Sequence, residues 1–194
     1  MKQGKLIIFS APSGSGKTTL VNFLLTRDID IAFSVSATSR KKRSHEIEGK
    51  DYYFLSPEEF KEKIKKEEFL EWEEVYRDHY YGTLKSEIER IWSMGLNVIL
   101  DVDVKGGLNI KKKYGRKALA VFIMPPSVKE LEKRLIKRST ETMENLKGRI
   151  IKAEAELKLA CEFDIIIIND NLKKAKSETL VTVKNFLKQN KESS

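Results

Sequence analysis

FSAPSGSGKTTL, residues 9–20, runs from an apolar residue through a series of small residues into the opening of a helix. Leu6-Ile7-Ile8-Phe9 is a short β-type run, and after the loop Leu20, Phe23 and Leu24 recur at helical spacing. A strand that feeds a loop opening a helix aims the free N–H groups of that helix at the loop's occupant, and an anion belongs there. Phosphate-cradling loops follow G-x-x-x-x-G-K-[ST]. Ala11-Pro12-Ser13-Gly14-Ser15-Gly16-Lys17-Thr18 meets the pattern everywhere except its first position, where Ala11 replaces glycine. Alanine still makes the turn if its φ is negative, whereas Gly14 and Gly16 stand where the backbone comes closest to phosphate oxygens. By role, the stretch from Ala11 to Thr19 holds the phosphates of a nucleoside triphosphate. Its N–H groups take the β-phosphate, Lys17 neutralises β/γ oxygens, and the Thr18 hydroxyl ligates Mg²⁺.

The rest of the chain bounds what the triphosphate is for. Its 194 residues suffice for one well-buried core with small excursions. No stretch approaches 18 apolar residues, so neither a signal peptide nor a membrane span is expected and the protein reads as cytosolic. A single cysteine, Cys161, excludes an internal disulfide and any cysteine-based metal cluster; on a predicted helix it reads as small core filler. The formal charge of +8 suits nucleic acid and anionic small substrates equally, and no nucleic-acid-binding motif decides for the former. Lys111 to Lys113 and Lys173-Lys174 are expected in solvated turn or helix-start positions. His45 and His79 have no triad or metal spacing.

Apolar β-rich segments alternate with helical patterns. Leu6 to Phe9 precedes a helix to about Thr26, and Asn97 to Val102 follows a helix from about Lys85. Ala118 to Met124 and Ile165 to Ile168 complete the set. This argues for an α/β fold, a buried parallel sheet flanked by helices. Ser56-Pro57-Glu58-Glu59 combines an N-cap serine, a proline at the first helical position and a capping-box glutamate, and Ser127 with Glu130 repeats the box. From about Ile31 to Gly82 the rhythm breaks into a polar, Tyr-rich stretch with one short helix, about Pro57 to Lys66, read as an inserted substrate-binding subdomain. After Pro125-Pro126 the Arg-rich segment Arg134 to Arg149 reads as a helical lid with Ser139-Thr140 at its tip. Leu146, Ile150, Ala153, Leu157 and Ala160 then return the chain to the core, and the tail from Lys188 should fray. The expected division is core 1–33, 85–125 and 155–194, subdomain 34–84 and lid 126–154.

Val98-Ile99-Leu100-Asp101-Val102-Asp103 is an apolar strand ending in carboxylates at i and i+2, hence on one face. An acid at the end of a neighbouring parallel strand is where such nucleotidases hold Mg²⁺, so Asp101 is assigned to the ion through water and Asp103 to the second substrate.

Here the sequence resembles the guanylate kinases, over essentially the whole chain, in SAPSGSGKTT, SVSATSRKKR, EGKDYYF, EFLEWEEV, YYGT, ILDVDVKG, PPSVKELEKRL, RSTET and the final IIND. The resemblance implies a P-loop nucleoside monophosphate kinase with a mixed β/α GMP-binding subdomain and a helical lid. Its reaction would be transfer of the γ-phosphoryl group of ATP to GMP with Mg²⁺. It implies that Arg40, Arg43, Tyr52 and Tyr81 hold the GMP phosphate and that Ser36, Glu71, Thr83 and Asp103 read guanine. Arg134, Arg138 and Arg149 would join Lys17 and Arg40 at the transferring group, and Asn169 would sit near adenine. Departures are Ala11, Thr83 where serine is common, and one extra residue between Trp72 and Tyr80, which leaves the loop around Arg77 and Asp78 open.

The residues support this reading on their own chemistry. Arg40 and Arg43 can each offer a planar fork to a phosphate monoester and two tyrosine hydroxyls can complete the shell, although Arg40-Lys41-Lys42-Arg43 alone reads equally as a solvated basic loop. Glu71 alone reads as an exposed edge charge; as a purine reader, its two acceptors match the N1–H and N2–H₂ donors of guanine. No general base is needed, since a phosphate dianion is already a nucleophile. A protein-binding relative that has lost catalysis and a P-loop kinase for another acceptor are the alternatives. The intact Gly14, Gly16, Lys17 and Thr18 argue against the first, Glu71 and Ser36 against the second. Neither a membrane, a nucleic acid nor an obligatory protein partner is expected, and tolerance for dGMP is left open.

Overall fold

The computed structural model describes residues 3–138 and 143–189, which form two compact units. One comprises Asp30–Val98 with the residues before Lys5; the other comprises Lys5–Ile29 and the chain from Ile99 onward.

In the second unit β1 (Leu6–Ser10) is buried along its whole length and pairs in parallel with β8 (Ala118–Met124), Leu6 opposite Ala118. β8 pairs in parallel with β9 (Ile165–Ile168), Val121 opposite Ile165, and β7 (Asn97–Asp101) flanks β1, giving the order β7-β1-β8-β9. β1 and β8, buried on both faces, explain their unbroken apolar runs, whereas on the edge strand β9 Ile166 and Ile168 are exposed. The helices are α1 (Lys17–Leu25), α4 (Val104–Tyr114), α5 (Val128–Arg138), α6 (Met143–Lys158) and α7 (Leu172–Lys188). α4 lies close on β1 because Gly107 has no side chain: a Cβ there would stand 2.5 Å from Ser10 Oγ and 3.2 Å from Ile8 Cγ2. Leu131 and Leu135 of α5 pack with Ala153 and Ile150 of α6.

The first unit holds β2 (Ile31–Phe33) and a four-stranded sheet in the order β4-β3-β6-β5. Its strands are β3 (Ala37–Thr38), β4 (Tyr53–Phe54), β5 (Phe69–Tyr76) and β6 (His79–Leu84), with β3 and β4 parallel and β6 antiparallel to both β3 and β5. α2 (Pro57–Lys65) opens on the expected capping box, Ser56 accepting from the Glu59 N–H and Glu59 from the Ser56 N–H. Its Phe60 ring stacks on Phe69 at 4.2 Å and joins Tyr80 and Ala37 in a core under the sheet. The β5–β6 pairing slips by one residue between Glu74 and Tyr76, the way an antiparallel pair takes up an additional residue. Asp78, with φ +59°, closes the hairpin, a conformation that aspartate tolerates better than most residues.

Several expectations are corrected. Cys161 is exposed, in the short 3-10 segment Ala160–Glu162, and fills no core; its Sγ points at the Lys158 carbonyl at 3.7 Å. Lys111 to Lys113 form the last turn of α4, where Lys111 bonds the Ala118 carbonyl and Asp164, both at 2.8 Å. β7 stops at Asp101, so Val102 is outside the strand. α3 (Lys85–Ser93), expected with the core, clusters with the first unit. α7 continues through Lys188, where the tail had been expected to begin, and the Ser139-Thr140 tip lies outside the described residues. No helix among the described residues is long and apolar enough to cross a membrane.

Candidate functional site

The loop between β1 and α1 has the backbone its glycines require. Gly14 and Gly16 both sit at φ +90°, and a Cβ on Gly16 would collide with the Asn169 amide. Positive φ outside glycine occurs, among the described residues, only at Glu67 and Asp78, so Ala11 makes its turn at no steric cost. The Ser15 N–H closes on the Pro12 carbonyl at 3.1 Å. Asn169, buried just past β9, donates its amide to the Ser15 carbonyl at 2.8 Å and so braces the loop from below. α2, α4 and α7 each have a side-chain cap, but α1, with Gly16 at its N-cap, has none, which leaves its first N–H groups to the loop. Ser15 Oγ is buried there without a hydrogen-bond partner among the described residues.

Lys17 at the first position of α1 forms an ion pair with the Asp101 carboxylate at the end of β7 and donates to the Val102 carbonyl at 3.1 Å. Both side chains keep partial solvent contact, 18% and 23%. Thr18 and Thr19 are exposed. The two carboxylates expected on one face part company, because the strand ends between them. Asp103 becomes the N-cap of α4, its Oδ1 accepting from the Gly106 N–H at 2.9 Å while its carbonyl accepts from Ser10 Oγ at 3.0 Å. Arg149 on α6 reaches the phosphate loop, donating from Nη2 to Ser13 Oγ at 2.6 Å. Arg134 on α5 donates from Nε to Glu130 at 3.2 Å, and its Nη2 lies 3.4 Å from the Asn169 carbonyl. The side chain of Arg138 lies outside the described residues.

A hydroxyl and a carboxylate, Thr18 and Asp101, are the hard oxygen donors that Mg²⁺ takes. Among the described residues no cluster of three or more acidic, histidine or cysteine side chains is arranged as a closed metal cage. That donor set fits an ion that keeps several waters and takes its remaining ligands from phosphate.

In the first unit the basic loop is not simply solvated. Arg40 donates from Nη1 and Nη2 to Glu46 at 2.7 and 2.5 Å, and its guanidinium carbon lies 5.0 Å from the Tyr52 ring centroid. The Glu46 hydrogen bonds raise the Arg40 pKa, with Tyr81 adding to the effect, and the same bonds hold the Glu46 carboxyl down at about 2. The Tyr52 and Tyr81 rings meet edge to face at 6.0 Å. Arg43 joins through its backbone N–H, which donates to Glu46 at 2.8 Å; its side chain is exposed. Glu71 and Thr83 face each other across β5 and β6, and the Thr83 hydroxyl donates to Glu71 Oε1 at 2.7 Å. Ser36 is fixed through its carbonyl, which accepts from the Tyr53 N–H at 2.9 Å.

Sequence reasoning missed two carboxylates here. Glu46 reads from the sequence as one more charge in a polar loop. Glu87 on α3 is buried and accepts from the Val35 N–H at 3.2 Å, Tyr53 Oη at 2.9 Å and Arg90 Nε at 2.8 Å. Burial pushes its pKa up, yet Arg90, the Val35 N–H and Tyr53 outweigh that and leave it below the ordinary glutamate value. Glu87 is thereby the brace behind the segment that carries Ser36. The one available signal was its position on the apolar face of α3, one residue before Ile88.

A family profile described as guanylate kinase matches residues 3–190. The guanylate kinase of Bacteroides thetaiotaomicron is 56% identical over 95% of this chain and 90% of its own length. That of Porphyromonas gingivalis is 58% identical over 87% of this chain and 90% of its own length. The crystal structure of guanylate kinase from Anaplasma phagocytophilum, 27% identical, superposes with a TM-score of 0.77 over 98% of this chain and 90% of that one. A profile spanning nearly every residue, relatives above half identity and a shared fold agree with the braced phosphate loop: the chain belongs to the guanylate kinase family.

Proposed function

We propose a division of labour among these residues in the ATP-dependent phosphorylation of GMP to GDP, the reaction that family membership carries. The loop from Ala11 to Thr19 binds the donor phosphates through the uncapped N–H groups of α1. Lys17 supplies positive charge to the β/γ oxygens and exchanges Asp101 for them when the nucleotide arrives. Thr18 and Asp101, the latter through water, are the residues that would hold Mg²⁺, and the ion when bound supplies charge neutralisation on the phosphates. Arg149, docked on Ser13, and Arg134, whose Nη2 reaches the Asn169 carbonyl, serve the transferring group, and Arg138 is assigned with them from the sequence. Asn169 serves the adenine end and supports the loop carbonyl.

On the acceptor side Arg40, Arg43, Tyr52 and Tyr81 take the GMP phosphate, and Glu71 with Thr83, Ser36 and Asp103 reads guanine. Glu71 carries this reading: Thr83 occupies one lobe of Oε1, which turns the carboxylate into an oriented two-point acceptor for the adjacent N1–H and N2–H₂ of guanine. The acceptor phosphate needs no general base, so the rate rests on alignment and charge. A division into core, GMP-binding subdomain and lid, and a working place in the cytoplasm where ATP and GMP are held, fit this reading. The test is ADP production with each nucleoside monophosphate in turn: GMP should dominate, and a maximum with AMP, UMP or a sugar phosphate overturns the assignment.

A further inference from the structure

We infer that Glu46 is a positioning residue for the acceptor phosphate, holding Arg40 so that the Nε edge of its guanidinium faces a phosphate monoester. The inference rests on the GMP reading above. Residues 41–45 and 47–51 are all exposed, whereas Glu46 is only 8% exposed. A carboxylate turned inward from a polar loop needs partners, and it has them at both ends of the basic tract. Oε1 and Oε2 take Nη2 and Nη1 of Arg40, and Oε2 also takes the Arg43 N–H. The Glu46 N–H donates in turn to the Arg43 carbonyl at 3.1 Å, closing the turn.

The donor count gives the direction of the effect. A guanidinium has five N–H groups in one plane. Glu46 takes the end-on pair, and Nη1 also donates to the Lys41 carbonyl at 3.1 Å. Tyr81 also bonds the guanidinium; the edge opposite Glu46, formed by Nε–H and the second hydrogen of Nη2 side by side, is a fork that matches two oxygens of a phosphate. The Tyr52 and Phe54 rings, 5.0 and 5.7 Å from the guanidinium carbon, fix its plane. Glu46 therefore does not occupy the phosphate's place. A carboxylate standing in for phosphate would sit on the opposite, Nε edge and would have no reason to hold the Arg43 backbone as well.

The experiment is Glu46→Gln in the full chain, with KM for GMP and for ATP, the inhibition constant of guanosine against GMP, and a melting curve. The amide keeps the shape, but sets an NH₂ against the guanidinium and frees it to rotate. KM for GMP should rise on the order of ten- to a hundredfold, the factor one charge-assisted hydrogen bond supplies. The guanosine constant and KM for ATP should stay within about twofold, since a nucleoside has no phosphate for Arg40 to hold. In an Arg40→Ala background the same substitution should add nothing further. If Glu46→Gln does not fold, Glu46→Asp keeps the charge one methylene short and is judged by the same ratio of GMP to guanosine. A KM for GMP that falls makes Glu46 a competitor, an unchanged one makes it idle, and a rise matched by guanosine makes it merely structural; each overturns the inference. A wild-type chain that does not phosphorylate GMP overturns the substrate reading instead.

Discussion

The Thr83 hydroxyl donates to Glu71 Oε1 at 2.7 Å across neighbouring strands, so the proposed base reader is held from behind by a residue on the same sheet. Adenine has a bare N1 acceptor and no 2-amino group where guanine has two donors, and the carboxylate would meet lone pairs. Sites built to bond a group can reject its absence by roughly 10⁴. Glu71→Gln keeps the shape while replacing one acceptor with a donor, so kcat/KM for GMP should collapse and the AMP to GMP ratio should rise. Thr83→Val, which lets the carboxylate turn, should lower kcat/KM for GMP by about tenfold, one hydrogen bond's worth. Kinetics with GMP, AMP and IMP check both, and an unchanged GMP preference in Glu71→Gln moves base reading to Ser36, Thr83 and Asp103.

Lys17 has two roles that one substitution separates. Lys17→Met removes the charge the transferring group needs, and kcat should fall on the order of 10² or more. The Asp101 partner stays partly solvated, so the fold should survive with a small change in Tm. Steady-state rates beside a melting curve decide this; near wild-type kcat removes Lys17 from the chemistry.

Arg149 touches the phosphate loop through Ser13. Arg149→Ala should therefore lower kcat while leaving KM for GMP within about threefold, the pattern of a group whose contact strengthens in the transition state. A change in KM for GMP alone would make it a ground-state binder.

Acid should weaken the Glu46–Arg40 pair in a defined window. The Glu46 carboxyl is held at about 2, below its ordinary 4.5, so its contribution is fully present above pH 4.5 and is lost as pH falls through 2. Wild type should melt above Glu46→Gln at neutral pH, and the gap should close between those two values. A gap constant down to pH 2 means the charge of Glu46 does not stabilise the loop.

Much of the fold was legible in the sequence because its signals are local. A strand, a glycine-containing loop and Lys17 in register specify an anion seat from backbone geometry alone, and α2 was readable from four consecutive residues, Ser56 to Glu59. Parallel strands buried on both faces announce themselves as runs such as Ala118–Met124. What tertiary structure decided is what each charge is paired with, since a carboxylate's partner comes from elsewhere in the chain. Asp101 and Asp103, two residues apart, go to Lys17 and to a helix cap because the strand stops between them. Glu87 looks like any helical glutamate until Val35 and Tyr53, more than thirty positions away, converge on it. Cys161, apolar enough for a core, is exposed while Ala160 and Phe163 beside it are buried, because the 3-10 turn that follows α6 aims it outward. Backbone conformation is written in nearby residues; the environment that sets a side chain's charge, exposure and partner exists only once distant segments have packed.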